Sequence, residues 1–82
     1  MRLPRDLSGH DLAKLLRRYG YEVVRQSGSH IRLKSNLRGS DHRVTIPAHK
    51  ALKLGTLGGI VSAVATYLEL DRAKLAEELF GP

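Results

Sequence analysis

The stretch best suited to chemistry in this sequence is residues 26–30, Gln-Ser-Gly-Ser-His, together with the alternating residues that follow it. His30 begins a predicted strand, and Arg32 and Lys34 follow at intervals of two residues. Because successive side chains of a strand point to opposite faces, these three share one face. An imidazole can act as a general base, nearby cations can stabilise a phosphate, and RNA supplies its own nucleophile, the 2′-hydroxyl. The spacing therefore indicates chemistry on a phosphate group.

The four histidines differ in how well they suit such a site. A single histidine at the start of a strand is more often an exposed residue without a role, so spacing alone is weak support for His30. His49 lies just past the third predicted strand, and we expect it to contact substrate or serve the structure rather than be essential for catalysis. His10 and His42 are expected to be bystanders. A metal centre built from His30, His42, His49 and Asp41 lacks the compact spacing of metal sites, and no metal site is predicted.

Two further motifs match catalytic or phosphate-binding signatures only in part. Ser29 lacks the context of a nucleophile elbow. Residues 55–59, Gly-Thr-Leu-Gly-Gly, lack the Gly-Lys-Ser/Thr ending of a P-loop. The helix that starts there can bind one phosphate through free backbone N–H groups, with Lys50 and Lys53 nearby, or it is only a tight junction between loop and helix. The sequence leaves both readings open.

The composition favours a small domain with a surface for a polyanion. The 82 residues are expected to form one domain, residues 1–82, and the absence of cysteine suits a reducing cytoplasm. Residues 1–53 contain 12 lysines and arginines against 4 acidic residues, a net charge of +8, whereas residues 54–82 contain 2 against 4, a net charge of −2. No apolar run reaches the length of a membrane span, and no signal-peptide core follows the N-terminus. We therefore expect a basic surface on one side of the domain and no membrane partner.

The helices are predicted from their caps and apolar stripes. Ser8 is a good N-cap for a first helix, with Asp11 three residues on as its capping partner, and Gly20 is expected to end that helix. The apolar stripe of the helix is Leu12, Leu15, Leu16 and Tyr19. Thr56 is predicted to cap a second helix, and Asp71 a short third one.

The first hairpin joins two predicted strands, residues 21–25 and 30–34. Its register is chosen by requiring apolar side chains on the core face, because a shift of one residue would move every side chain to the other face. A two-residue loop of residues 27–28 would put a carboxylate on the core side. A three-residue loop of residues 26–28 avoids this and gives Gly28 the left-handed position that such loops need. The predicted pairs are Val23 with Ile31, Tyr21 with Leu33, Glu22 with Arg32, and Val24 with His30.

The second hairpin joins the second strand to a third, residues 43–47, across a turn-rich connection of residues 35–41. It is predicted to be symmetric about its loop, with the pairs Ile31–Ile46, Arg32–Thr45 and His30 beside Pro47. The element order predicts an α+β fold, α-β-β-β-α(-α), in which helices pack on one face of a three-stranded antiparallel sheet.

Three separated motifs stand in order along the chain: residues 28–30 (Gly-Ser-His), residues 44–49 (Val-Thr-Ile-Pro-Ala-His), and residues 54–57 (Leu-Gly-Thr-Leu) followed by Ile60. Together with the first helix, they resemble the HicA family of toxins, the ribonuclease halves of bacterial toxin–antitoxin pairs. The resemblance covers nearly the whole chain. It implies a fold like that of a double-stranded-RNA-binding domain, cleavage of mRNA that depends on His30, and a HicB-type antitoxin encoded alongside. Gly58 and Gly59 depart from many relatives, which carry basic or polar residues there.

The residues and the resemblance together predict the toxin of a type II toxin–antitoxin pair. It would be a metal-independent endoribonuclease without a small-molecule cofactor, cleaving mRNA with His30 as general acid or base. The expected RNA contacts are Gly28, Ser29, Arg32, Lys34, Arg43, His49, Lys50 and Lys53. The main alternative is a non-catalytic double-stranded-RNA-binding module, which has no need of His30. A third reading is an adaptor that binds only an acidic protein.

Overall fold

The helices and strands follow one another in the predicted order in a computed structural model that describes residues 2–81. They are α1 (Gly9–Leu16), a 3₁₀ turn (Arg17–Tyr19), β1 (Glu22–Ser27), β2 (His30–Ser35), β3 (His42–Pro47), α2 (Leu54–Leu68) and α3 (Arg72–Phe80). The strands form an antiparallel sheet in the order β1-β2-β3. The predicted α+β architecture, α-β-β-β-α-α, is confirmed. No helix within residues 2–81 is long and apolar enough to cross a membrane.

The hydrophobic core lies between the helices and one face of the sheet. The sheet contributes the inward residues of the central strand β2 and of β3, namely Ile31, Leu33, Val44 and Ile46. The helices contribute their apolar stripes, chiefly Leu12, Leu16, Leu57, Val61, Val64, Leu75 and Leu79. Burying a side chain of this size contributes about 1.5–3 kcal/mol. Because one face of the sheet takes up the core, the alternate residues of β2 and β3 remain on an open face.

The first helix begins at its predicted cap, and the helical segment, including a final 3₁₀ turn, stops at Gly20 as predicted. The Asp11 N–H donates to the Ser8 hydroxyl oxygen at 3.0 Å, so Ser8 is the N-cap. The regular helix ends at Leu16 and tightens into the 3₁₀ turn, and Gly20 then turns the chain with a left-handed φ of 82°. A left-handed residue at this position is common where a helix ends.

The start of the second helix differs from the prediction. α2 begins at Leu54, two residues before Thr56, and its N-cap is Lys53. The Leu57 N–H donates to the Lys53 carbonyl at 2.9 Å, and in the described chain no side chain caps this end. The prediction failed because it relied on a side-chain cap, and this helix starts without one. Just before the start, the Leu52 N–H donates to the Leu7 carbonyl at 2.8 Å. At the third helix, Asp71 caps as predicted, accepting from the Lys74 N–H at 3.1 Å.

The predicted register of the first hairpin is wrong. The observed pairs are Ser27–His30, Gln26–Ile31, Arg25–Arg32, Val23–Leu33 and Glu22–Lys34, with a register shift at Val24. The turn consists of Gly28 and Ser29 alone, and Gly28 has a φ of 56°, as the first central residue of a type II′ turn requires. The prediction assumed that the two strands pair without interruption. Val24 is instead the extra residue of a β-bulge, and beyond it Val23 pairs with Leu33, an inward-facing residue of β2.

The second hairpin has the predicted register, with Ile31–Ile46, Arg32–Thr45 and His30–Pro47 as direct partners. The helices leave β1 uncovered. Val23 and Val24 are 52% and 50% exposed, although Tyr21, just before the strand, is fully buried. β1 is therefore an exposed edge strand.

Candidate nucleic-acid interface

The open face of the sheet consists of three cross-strand rows. The rows follow from the observed pairs, since residues directly opposite each other share a face and alternate residues of a strand return to it. The histidine row is Ser27, His30 and Pro47; the central row is Arg25, Arg32 and Thr45; and the third row is Glu22, Lys34 and Arg43. Neighbouring rows are about 7 Å apart along the strands.

His30 is exposed at the start of β2, where the main chain is held tightly. The Ala48 N–H donates to the Ser29 carbonyl at 2.7 Å, which ties the end of β3 to the turn beside the histidine. Across the described chain, no hydrogen bond or ion pair engages the His30 ring. The ring thus stands on a hydrogen-bonded backbone and is exposed to solvent.

Gly9, the first residue of α1, contacts the same end of the sheet and connects the helix to the segment that follows β3. Its N–H donates to the His49 carbonyl at 3.0 Å. A Cβ at position 9 would lie 2.0 Å from the Pro47 carbonyl oxygen, so only glycine allows α1 to approach the end of β3 this closely. The first turn of α1 is therefore part of the support of the histidine row.

The central row carries two arginines directly opposite each other. Arg25 and Arg32 are exposed, and in the part of the chain that the structure describes neither forms an ion pair. Like charges in direct opposition destabilise a sheet pair, and the remaining member, Thr45, is uncharged. The row next to His30 is thus a concentration of positive charge without a neutralising partner.

The third row is largely neutralised and lies farther from the histidine. Lys34 is opposite Glu22 and is 3.9 Å from the Asp41 carboxylate. A hydrogen bond from Asn36, and next the charge of Lys34, lower the pKa of Asp41. Lys34 and its neighbour Arg43 lie about 13 Å from His30 along the strands, so the structure does not bring these two predicted contacts together with it.

The remaining predicted contacts lie at the histidine end. Gly28 and Ser29 form the exposed turn before His30. The exposed residues His49, Lys50 and Lys53 belong to the connection that leaves β3 beside it and leads into α2.

Gly58 and Gly59, in the second turn of α2, differ in their surroundings. The Arg72 guanidinium of α3 donates to the Gly58 carbonyl at 3.3 Å, and a Cβ at position 58 would lie 2.8 Å from that guanidinium. Gly59 is exposed, and no described atom lies within 4 Å of a Cβ placed there. The absence of a side chain at position 58 thus lets the Arg72 guanidinium approach the backbone of α2 closely.

His42 lies at the opposite end of the sheet, opposite Ser35, and it is engaged. Its Nδ1 is hydrogen-bonded to the Tyr21 hydroxyl at 2.6 Å, and its ring stacks on Tyr67 with centroids 4.8 Å apart. Burial, and next the proximity of Tyr67, raises the pKa of Tyr21 to about 12. We call Tyr21, His42 and Tyr67 the aromatic cluster; it gives His42 a structural role.

Within residues 2–81, neither a group of metal-binding side chains nor the best-defined cavity lies on this face. Among residues 2–81, no three histidine, cysteine or acidic side chains are grouped to hold a metal ion. A cavity of about 460 Å³ lies elsewhere, between the N-terminal residues 2–5 and the end of α3. It contains none of the predicted site residues. The candidate site is an open surface, which suits a chain-like ligand rather than a small molecule.

Two residues of this end were missed from the sequence. Arg25 was missed because its position opposite Arg32 depends on where the turn lies. Assigning residues 28–29 to a two-residue type II′ turn, which Gly28 favours, would have predicted this pair. Gly9 was missed because its contact with Pro47 is non-local, and nothing in the local sequence distinguishes it from an ordinary residue of a first helical turn.

The fold and the surface define a small α+β domain with an exposed histidine and a cationic open face on its sheet. Residues 9–67 match the family described as the HicA toxin of bacterial toxin–antitoxin systems. The chain therefore belongs to the HicA toxin family, which implies an antitoxin partner. The match ends before α3. Comparison with curated proteins and with solved structures gave no match.

Proposed function

We propose that this chain is a metal-independent endoribonuclease that cleaves mRNA in the cytoplasm, and that a HicB-type antitoxin inhibits it. The observation that carries the proposal is the exposed His30, without a side-chain partner in the described chain, one row away from Arg32. Membership of a toxin family supports it. So does the net charge of +8 on residues 1–53, which favours a polyanionic substrate.

In the proposed reaction, His30 removes the proton of the RNA 2′-hydroxyl. The oxygen attacks the adjacent phosphorus, and the bond to the 5′-oxygen of the next nucleotide breaks. The products are a 2′,3′-cyclic phosphate and a 5′-hydroxyl, and the leaving oxygen takes up one proton. Arg32 stabilises the negative charge that develops on the phosphate. His49 contacts the substrate, as do the exposed cations Lys50 and Lys53 after β3.

The test replaces His30 by alanine and measures cleavage of a single-stranded RNA in the presence of EDTA. We expect a 10²- to 10⁴-fold loss of rate, the range for removal of a general base. The wild-type chain should leave cyclic phosphate ends and should not cut a substrate with 2′-deoxyribose. His10→Ala is the matched control, since His10 is also exposed but lies in α1.

A folded His30→Ala protein that still cleaves RNA at the wild-type rate would remove the mechanism. A wild-type chain that binds duplex RNA and cleaves none would favour the alternative, a non-catalytic double-stranded-RNA-binding module.

The proposed antitoxin covers the open face, with acidic groups against the histidine and central rows. Opposite charges across such an interface speed association and fix its orientation. A structure of the complex in which His30 and Arg32 remain open to solvent would contradict this mode of inhibition.

A further inference from the structure

We infer that Arg25 is a substrate-binding residue, which together with Arg32 holds an RNA phosphate next to the one that is cleaved. The inference rests on the proposed function and extends it to a residue on the edge strand. Its basis is the observed register, in which Arg25 is the direct cross-strand partner of Arg32.

The distribution of charge over the open face distinguishes this pair from the other cations. In the third row, Lys34 has Glu22 opposite it and Asp41 within 3.9 Å. Arg43, the other cation of that row, forms no ion pair in the described chain. After the hydrogen bond from Asn36 and the charge of Lys34, its charge also helps lower the pKa of the Asp41 carboxyl. In the central row, Arg25 and Arg32 have no acidic partner within residues 2–81. The central row, one row away from His30, therefore holds two cations and no carboxylate, whereas the third row has carboxylates beside its cations.

The arrangement is unfavourable for the folded protein alone. Two arginines in direct opposition repel each other, and neither forms an ion pair within residues 2–81. The negative charge of a phosphate between the two guanidinium groups offsets the repulsion, and each arginine can donate two parallel hydrogen bonds to the phosphate oxygens. A stability cost that a ligand relieves is typical of a binding site.

The position of the pair also suits a chain-like substrate. Neighbouring rows are about 7 Å apart, which is within the reach of an arginine side chain from a phosphate held at His30. Because β1 is an exposed edge strand, an RNA strand that crosses this edge meets Arg25 on its way to the histidine.

The experiment measures binding of a fluorescent single-stranded RNA to the His30→Ala protein, in which binding is separated from cleavage. Adding Arg25→Ala should weaken binding about 5- to 10-fold at 50 mM salt. The slope of log affinity against log salt should fall by about 0.7, the value for one lost phosphate contact on a single strand. Arg25→Lys should keep the salt slope while losing part of the affinity, since it keeps the charge but not the fork of donors.

Arg17→Ala is the matched control, because Arg17 is an exposed arginine in the helical layer. It should change affinity less than 2-fold. In addition, Arg25→Ala should raise the melting temperature at low salt, which distinguishes a binding role from a structural one. In the His30-containing protein, the same change should raise KM and leave kcat within about 3-fold.

Equal RNA affinity in the Arg25→Ala and Arg17→Ala proteins would overturn the inference and leave the proposed function intact. A lowered melting temperature with an unchanged salt slope would overturn it as well. A wild-type chain that neither binds nor cleaves RNA would overturn the proposed function, and the inference with it.

Discussion

The two ends of the sheet are held together in different ways. At the end that carries His30, main-chain groups make the connections: the Ala48 N–H donates to the Ser29 carbonyl, and the Gly9 N–H to the His49 carbonyl. At the opposite end, side chains make them. The aromatic cluster joins β3 to α2 and to the start of β1, and the Ser35 hydroxyl donates to a carbonyl of the 3₁₀ turn at 2.8 Å.

The difference explains how one sheet carries two histidines in different surroundings. Where main-chain hydrogen bonds fix the geometry, the side chains remain available for a ligand, as at His30. Where side chains fix the geometry, they are already engaged, as at His42. An accurately positioned but unoccupied side chain is what a binding or catalytic surface needs.

The largest expected effect on stability comes from Gly9→Ala, which disrupts the main-chain contacts at the end of the sheet that carries His30. The added Cβ would lie 2.0 Å from the Pro47 carbonyl oxygen, and backbone atoms on both sides cannot move aside cheaply. We expect a loss of about 3 kcal/mol in unfolding free energy, at the upper end of the usual cost of overpacking. We also expect cleavage to fall at least 10-fold at temperatures where the protein is folded, because the turn before His30 shifts. Urea titration and cleavage assays measure the two effects.

Gly59→Ala is the control for that substitution. Gly59 lies inside α2 in open space, so alanine there should stabilise the protein by up to about 1 kcal/mol through helix propensity. A Gly9→Ala protein that is as stable and as active as the wild type would show that the close approach of α1 to β3 is not required.

The second effect concerns the side-chain end. His42→Ala removes the hydrogen bond to the Tyr21 hydroxyl and the stacking on Tyr67. We expect a loss of about 2 kcal/mol in stability, since a buried hydroxyl loses its partner. RNA cleavage below the melting transition should stay within about 3-fold of wild type, the reverse of the result expected for His30→Ala. Loss of cleavage in a folded, stable His42→Ala protein would contradict a purely structural role for His42.

The third effect is a loss of stability at alkaline pH. Burial is the largest cause that raises the pKa of both Tyr19 and Tyr21 to about 12, from the ordinary value of 10.0. The unfolded chain therefore releases these protons at lower pH than the folded one. The contribution to stability is complete below pH 10 and is lost as the pH rises from about 10 to 12. Solvent screening keeps the slope below the limit of about 1.4 kcal/mol per pH unit for each tyrosine.

Unfolding by urea at pH 7 to 11 measures this loss. Tyr21→Phe should cost about 1 kcal/mol at neutral pH, because its hydrogen bond to His42 is gone, and should make the alkaline decline less steep than in the wild type. An identical alkaline decline in the two proteins would show that Tyr21 is not responsible.

The comparison also shows which features the sequence can predict. The caps at Ser8 and Asp71 and the second hairpin depend on local signals, namely short side chains at helix starts and a regular alternation in β2 and β3. The exposed position of His30 follows from the same alternation. The register of the first hairpin could not be predicted in this way. The prediction assumed regular alternation along both strands, and the bulge at Val24 interrupts it.

The features that escaped prediction are those made by distant parts of the chain. The contact of Gly9 with Pro47 and the cluster around His42 join residues far apart in sequence, so neither leaves a periodic signal. The role of His42 as a bystander to catalysis was predicted, but its partner Tyr67 was not. The neutralised state of Lys34 likewise depends on Asp41, across a loop from β2.

The smallest effect tests the contrast between the central and third rows. Asp41→Asn removes the charge that faces Lys34 and keeps an oxygen that can accept from Asn36. In the His30→Ala protein, we expect RNA affinity to rise about 2-fold at 50 mM salt and to be unchanged at high salt, where surface charges are screened. Stability should change by less than about 1 kcal/mol, as for exposed ion pairs generally. Glu77→Gln, an exposed acid on α3, is the control. If Asp41→Asn raised affinity more than Arg25→Ala lowers it, the third row rather than the central row would be the main phosphate site.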